Sequence, residues 1–150
     1  MASYFFDTSA LAKHYRAENG TPEVERLLRK PGSTHYISRL AAVELQSVFA
    51  LKVRTHEITA QDLQQLQQHI ATDFAARRFP VVRMLQRHFQ EAERLLRKHA
   101  PRKALRTLDS LQLAVALSLS REGKIDYFVC ADNRLCQVAE DEGLLVINPM

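Results

Sequence analysis

Four acidic residues occupy positions at which an α/β protein gathers its chemical groups. Asp7 directly follows a short aromatic run, and Asp132 ends a second short apolar run. Asp109 lies in the first turn of one apolar helical stretch, and Glu44 lies in the second turn of another. In a parallel sheet the strand carboxyl ends and the following helix N-termini face one edge, where ligands bind. The spacing therefore predicts that the four carboxylates converge on one site.

Converging carboxylates have a definite chemistry. They repel one another and raise one another's pKa values unless a cation neutralises them. Hard oxygen ligands suit Mg²⁺ or Mn²⁺, which bind through a few carboxylates together with waters and phosphates. Such ions activate water and stabilise the leaving oxygen when a phosphodiester is cleaved. The acidic set therefore indicates a divalent-cation site of hydrolytic character.

Each acid alone also has a simpler explanation. Asp7 could be only a turn or capping residue, and Glu44 only a solvent-facing side chain on a helix edge. Asp109 could be a structural acid interacting with a helix N-terminus. Thr8 and Ser9 could cap the next helix or hold the Asp7 carboxylate by hydrogen bonds. Four acids at equivalent positions favour the site over four separate explanations.

The basic residues are concentrated in one part of the chain. The net charge is +4, yet residues 77–106 carry ten Lys and Arg against two acids, so the remainder nets −4. A basic segment on an acidic body indicates a polyanion partner, the alternative being a solvated helix face. The candidates for phosphate contacts are Arg94, Arg97, Lys98, Arg102 and Lys103.

Short apolar runs alternate with helical patterns along the whole chain. The predicted strands lie at 4–6, 35–37, 80–84, 126–130 and 144–147. The predicted helices begin near 11, 21, 38, 59, 86, 107 and 135, where caps, Pro or helical spacing mark their starts. This alternation predicts a parallel α/β sheet with helices on both faces.

The apolar patterns also predict which helix faces are buried. The helix over 38–55 is apolar almost all round and is expected in the core, as is the stretch 108–119. In the helix over 86–100, the residues expected to face inward are Phe89, Ala92, Leu95 and Leu96. The six histidines are scattered without metal-ligand spacing and are interpreted as surface or packing residues.

Length and composition set the broad class. A chain of 150 residues with 46% hydrophobic residues predicts one globular domain spanning 1–150. No apolar run approaches the roughly 18 residues that span a bilayer, and no signal peptide is recognisable. Cys130 and Cys136 form neither a metal knuckle nor a disulfide framework, which favours a reduced cytoplasmic setting.

The segments around the four acids resemble the PIN-domain ribonucleases, and the chain length resembles that of VapC-type toxins from toxin–antitoxin pairs. The resemblance covers both ends and the centre of the chain but not 55–105. It is carried by Phe6-Asp7-Thr8-Ser9-Ala10-Leu11, Val43-Glu44-Leu45, Leu108-Asp109-Ser110-Leu111-Gln112-Leu113-Ala114, Val129-Cys130-Ala131-Asp132-Asn133-Arg134-Leu135 and Gly143-Leu144-Leu145-Val146.

The resemblance implies a three-layer α/β/α fold with four to five parallel strands, and a Mg²⁺- or Mn²⁺-dependent endoribonuclease. It implies catalytic roles for Asp7, Glu44, Asp109 and Asp132, with the three aspartates as metal ligands. Supporting roles follow for Thr8, Ser9 and Asn133. Cys130 departs from the family, in which Thr or Ser is common at this position, so one supporting hydrogen bond differs.

The resemblance also implies an RNA substrate, an inhibitory antitoxin and a homodimer, while the lack of a long apolar run predicts no membrane partner. Antitoxins of this family often place a basic side chain near the metal site, and the groove expected to hold the antitoxin's apolar part lies over residues 39–54.

Three other classes of protein fit the residues less well. A receiver-type signalling domain needs paired acids after the first strand and a late Lys, and neither is present. A phosphatase with a nucleophilic Asp needs a second Asp two residues later, where Ser9 stands. A PIN module that binds RNA or protein without catalysis remains an alternative, although buried acids without a cation are costly.

Overall fold

A five-stranded parallel sheet forms the centre of the molecule. The structure is a computed structural model that describes all residues, 1–150. The strands follow the spatial order β3-β2-β1-β4-β5. They span Ser3–Phe6 (β1), Thr34–Ser38 (β2), Val81–Val82 (β3), Tyr127–Val129 (β4) and Val146–Ile147 (β5). The predicted α/β class with a four- to five-stranded parallel sheet is confirmed.

Seven helices cover the two faces of the sheet. They span Thr8–Tyr15 (α1), Thr21–Leu28 (α2), Arg39–Arg54 (α3), Ala60–Ala75 (α4), Gln86–His99 (α5), Thr107–Arg121 (α6) and Asn133–Asp141 (α7). Helices α1–α4 share one apolar core with the sheet, and α5–α7 share the other. The result is a three-layer α/β/α arrangement. No helix combines the length and the apolar character that a membrane span requires.

The central strand β1 supplies both cores because its side chains alternate between the faces. Tyr4 and Phe6 pack on the side of α1–α4, while Phe5 packs on the side of α5–α7. All three side chains are fully buried or nearly so. Phe6 pairs with Val129 of β4, which brings the carboxyl ends of these two strands level. The Asp7 N–H continues the pairing and donates to the Val129 carbonyl at 2.9 Å.

Several helix starts differ from the sequence prediction. Helix α1 begins at Thr8 rather than near residue 11, and its cap is Asp7 itself, not Thr8 or Ser9. Helix α2 is preceded by Gly20, whose φ of 91° favours glycine, so Thr21 is already helical. The capping box predicted from Thr59 is present at the start of α4.

Two predicted buried faces are wrong in part. Helix α3 buries only Ala41, Leu45 and Phe49, while Val43 and Leu51 are exposed, because the helix packs along one side only. In α5, Phe89 is 47% exposed and His88 is buried in its place. The Nδ1 atom of His88 accepts a hydrogen bond from the backbone N–H three residues earlier, which fixes this rotation of the helix. Helix α6 is buried along most of its length, as predicted.

Candidate active site

All four acidic residues lie at the carboxyl edge of the sheet, on the elements that were expected to carry them. Asp7 follows β1 and Asp132 follows β4, and each caps the next helix. The Asp132 Oδ1 atom accepts from the backbone N–H groups of the second and third residues after it, at 2.9 and 3.3 Å. Glu44 lies in the second turn of α3, and Asp109 in the first turn of α6.

Asp7 is the most enclosed of the four acids, with 5% of its surface exposed. Its Oδ2 atom accepts hydrogen bonds from the Ser9 hydroxyl at 2.6 Å and the Ser9 N–H at 3.1 Å, and the Cys130 thiol lies 3.8 Å away. Burial raises the pKa of Asp7 to about 6, because the charges of Glu44 and Asp109 add to the loss of solvent and outweigh the Ser9 hydrogen bonds.

Glu44 is held by a buried polar network. Its Oε1 atom accepts from the Thr8 hydroxyl at 3.1 Å and from the Gln112 amide at 2.7 Å. The same amide donates to the Thr8 oxygen at 2.8 Å, and Ser38 donates to the Gln112 carbonyl oxygen at 2.9 Å. The network joins α1, α3, α6 and the end of β2. It fixes Oε1 and leaves Oε2 without a hydrogen bond inside the chain.

An arginine lies against two of the acids. The Arg106 Nε atom donates to Asp109 Oδ2 at 3.0 Å, and its terminal nitrogen lies 3.8 Å from Asp132 Oδ2. These carboxylates raise the pKa of Arg106, chiefly through the Asp109 hydrogen bond. The arginine side chain is 75% exposed. Arg106 thus places a solvent-exposed positive charge between two aspartates.

The donor set fits a hard divalent cation. Carboxylate oxygens are the ligands that Mg²⁺ and Mn²⁺ favour. The raised pKa of Asp7 and the pairing of Arg106 with two aspartates both indicate that positive charge would stabilise this edge. A cation bound by Asp7, Asp109 and Asp132 would supply that charge.

Two of the predicted supporting residues contact an acid directly, and the third does not. Ser9 bonds to Asp7, and Thr8 bonds to Glu44. The Asn133 side chain instead accepts a hydrogen bond from Asn148 at 2.8 Å.

Sequence reasoning missed two residues of the site, Gln112 and Arg106. Each lies three positions from Asp109 along the chain, and this i,i+3 spacing places neighbours on one helix face. That spacing was the available signal.

The basic segment is largely engaged in ion pairs within the chain. Arg94, Lys98 and His99 of α5 all contact Glu142, at 2.6, 2.8 and 2.7 Å. Although burial opposes ionisation, these hydrogen bonds lower the pKa of Glu142 to about 2. This part of the positive charge therefore binds α5 to the end of α7.

The remaining candidates for phosphate contacts divide into paired and unpaired side chains. Lys103 forms an ion pair with Asp141. Arg97 and Arg102 are exposed and form no ion pair. These two arginines are therefore the members of the predicted set whose charge is fully available to a polyanion.

A groove of about 440 Å³ lies beside the acidic edge, between α3 and the start of α6. Glu44, Arg106 and Asp109 form its polar end, and Val48, Leu51 and Leu108 form its apolar part. The groove therefore joins an acidic surface to an apolar one.

The family model described as PIN domain matches residues 4–141. The chain belongs to the PIN domain family. No curated protein sequence shows significant similarity to the chain.

The fold is similar to those of several solved proteins. The crystal structure of FitAcB from Neisseria gonorrhoeae has a TM-score of 0.66 at 15% identity, with 97% of each chain covered. Mycobacterium tuberculosis VapC20, a sarcin–ricin loop cleaving toxin, has a TM-score of 0.67 at 19% identity, covering 97% of this chain and 99% of the other. VapBC2 from Rickettsia felis, bound to a DNA fragment from its promoter, has a TM-score of 0.65 at 17% identity, covering 97% and 98%.

Replacing the buried Asp7 should stabilise the metal-free protein in a pH-dependent way. The raised folded-state pKa, about 6 against the usual 3.8, means that ionising Asp7 costs stability as the pH rises through this interval. We expect Asp7→Asn to increase the free energy of unfolding at pH 7 by up to about 3 kcal/mol. The gain should shrink as the pH falls from 6 towards 4.

The measurement is denaturant unfolding in the presence of a chelator, at several pH values between 4 and 7.5. Glu140→Gln is the matched control, because Glu140 is exposed and forms no ion pair. An Asp7→Asn variant no more stable than wild type at pH 7 would contradict the electrostatic account of the edge.

Proposed function

We propose that this protein is a Mg²⁺- or Mn²⁺-dependent endoribonuclease and the toxin component of a toxin–antitoxin pair. The observation that carries the proposal is the meeting of four carboxylates at one sheet edge, with Arg106 supplying positive charge between two of them. Membership of the PIN domain family supports it. So does the similarity of the fold to toxin and toxin–antitoxin structures.

In this proposal each acid has a separate role. Asp7, Asp109 and Asp132 hold the metal, which when bound supplies Lewis acidity to the scissile phosphate and to a water molecule. Glu44 acts as the general base. Thr8 and Gln112 hold its Oε1 atom, so the carboxylate is held in place while Oε2 can accept a proton from water. Ser9 holds the Asp7 oxygen in place.

We expect the Arg106 side chain to move when the metal and the substrate bind at the acidic edge. Its guanidinium cannot keep both carboxylate contacts once Asp109 and Asp132 hold a cation. The exposed side chain then reaches solvent, where a substrate phosphate would be its natural partner.

The first test is catalytic. We expect Asp109→Asn, and likewise Asp7→Asn, to abolish Mg²⁺-dependent cleavage of RNA while leaving the circular dichroism spectrum unchanged, because each removes a metal ligand. Glu140→Gln serves as the control and should cleave as wild type does. Cleavage at the wild-type rate by both purified aspartate variants would rule out this assignment of the site.

The second test concerns the basic segment. We propose that Arg97 and Arg102 contact the RNA backbone with Arg94, Lys98 and Lys103, and that the first two contribute most, since they are unpaired. Replacing both Arg97 and Arg102 by Ala should weaken RNA binding and reduce the salt slope by about 1.4 for single-stranded RNA.

The control for this test is a double Ala variant at Arg16 and Arg54, which are also exposed and unpaired but lie outside the segment. Binding is measured by fluorescence anisotropy over a series of salt concentrations. An equal loss of affinity in the two double variants would mean that only the net charge matters.

The partner in this proposal is an antitoxin that closes the acidic edge. A guanidinium from the partner would pair with Asp7 and Asp132 and replace the charge of the metal, while an apolar helix would lie in the groove over α3. The family resemblance also predicts a homodimer. A cytoplasmic setting suits the free, buried thiols of Cys130 and Cys136.

Binding of the antitoxin in this groove can be tested with the purified antitoxin. Leu51→Asp should weaken binding to this partner by at least about tenfold, because it places a charge in the apolar part of the groove. Leu145→Asp is the control, since Leu145 is also exposed but lies outside the groove. Equal affinity of the Leu51→Asp and wild-type proteins would place the partner elsewhere.

The partner's arginine has its own test. Inhibition of cleavage is measured across a Mg²⁺ series, with and without that arginine. We expect high Mg²⁺ to relieve inhibition only when the arginine is present. An unchanged Mg²⁺ dependence after its removal would contradict occupation of the acidic edge.

A further inference from the structure

A second group of metal-ligating side chains lies away from the acidic edge, between α1 and α4. His14, near the end of α1, faces His69 and Asp73, which are one turn apart on α4. One nitrogen from each histidine and one Asp73 oxygen lie within 4.8 Å of one another. The histidines are 55 positions apart in the chain, so the expectation that they are scattered surface or packing residues missed this cluster.

His14 is prepared as a ligand by its other nitrogen. The Nδ1 atom lies 2.5 Å from the Glu25 carboxylate of α2, and because a carboxylate oxygen accepts, Nδ1 carries the hydrogen of this contact. A carboxylate behind a histidine is the usual arrangement for holding a metal-binding imidazole in one tautomer. The lone pair of Nε2 then points away from Glu25.

The Nε2 atom of His14 has no hydrogen-bond partner, although the side chain is only 6% exposed. A buried polar atom without a partner is costly and calls for an explanation. Asp73 Oδ2 lies 3.5 Å from it. A lone pair facing a carboxylate oxygen is repelled by it, and a cation between the two atoms would satisfy both.

The two distances from Asp73 to the histidines fit a small tetrahedral site. Asp73 Oδ2 lies 3.5 Å from His14 Nε2 and 3.6 Å from His69 Nε2. Ligands about 2.0–2.1 Å from a central ion, in tetrahedral geometry, are separated by roughly 3.4 Å. Tyr15 donates to the same carboxylate at 2.9 Å, and Arg78 lies 3.8 Å from its other oxygen, so Asp73 is held in place.

We propose that His14, His69 and Asp73 bind a Zn²⁺-like transition metal that joins α1 to α4. Two imidazoles and one carboxylate are a ligand set that Zn²⁺ takes, with water in the fourth position. His69 is 47% exposed and provides the route from solvent. The ion is distinct in type from the one proposed at the acidic edge, which has oxygen ligands alone. It would brace α1, the helix that Asp7 caps.

The test compares Zn²⁺ binding by the wild type and two single-residue variants in excess Mg²⁺. His69→Gln removes one ligand from a half-exposed position, so the fold should be retained. His56→Asn is the control, because His56 is an exposed histidine elsewhere with a φ of 61°, which Asn tolerates. Calorimetry should show one Zn²⁺ site in the wild type and the control that is weakened about tenfold or more by His69→Gln.

A thermal-melting series gives a second readout. Zn²⁺ should raise the Tm of the wild type and the control by about 5 °C more than that of His69→Gln. Equal Zn²⁺ affinity and equal Tm shifts in all three proteins would overturn the proposal.

A third readout needs no variant. In histidine-ring NMR of the wild type, Zn²⁺ should shift the Nε2 signals of His14 and His69 but not those of His56. Unshifted signals from His14 and His69 at saturating Zn²⁺ would also overturn it. None of these readouts involves RNA or cleavage, so the result is independent of the proposed function.

Discussion

Four carboxylates lie at one edge of the sheet, and the groups around them offset the repulsion between their charges. Asp7 is almost fully buried, and its pKa is raised to about 6 by burial and by the neighbouring acids. Ser9 donates two hydrogen bonds to it, Gln112 donates to Glu44, and Arg106 lies between the other two. The fold thus holds negative charges together that would separate in solution.

The sheet makes this arrangement possible because all five strands are parallel and their carboxyl ends lie together. The apolar cores on both faces bury the side chains of β1, so the backbone at Asp7 has little freedom. The basic segment contributes to the same rigidity. Most of its charge on α5 is paired with Glu142, which ties that helix to α7. The basic segment, which the sequence predicts to be a binding surface, therefore also stabilises the packing of α5 on α7.

The sequence was sufficient for the fold class, the strand positions and the placement of the four acids, because these depend on local apolar runs and on the rule that parallel strands end together. It was insufficient in two places. Phe89 is exposed because the backbone N–H of Leu85 donates to His88 Nδ1 and holds His88 inward, a local contact that the apolar spacing does not indicate. The approach of His14 to His69 follows from the packing of α1 on α4, which joins positions far apart in the chain.

We propose that a divalent cation binds at the acidic edge in place of the Arg106 guanidinium. Anomalous scattering from crystals soaked in Mn²⁺ locates such a cation. We expect a strong peak within bonding distance of the carboxylates of Asp7, Asp109 and Asp132, with Arg106 moved away from them. No peak at saturating Mn²⁺, with Arg106 still bonded to Asp109, would contradict it.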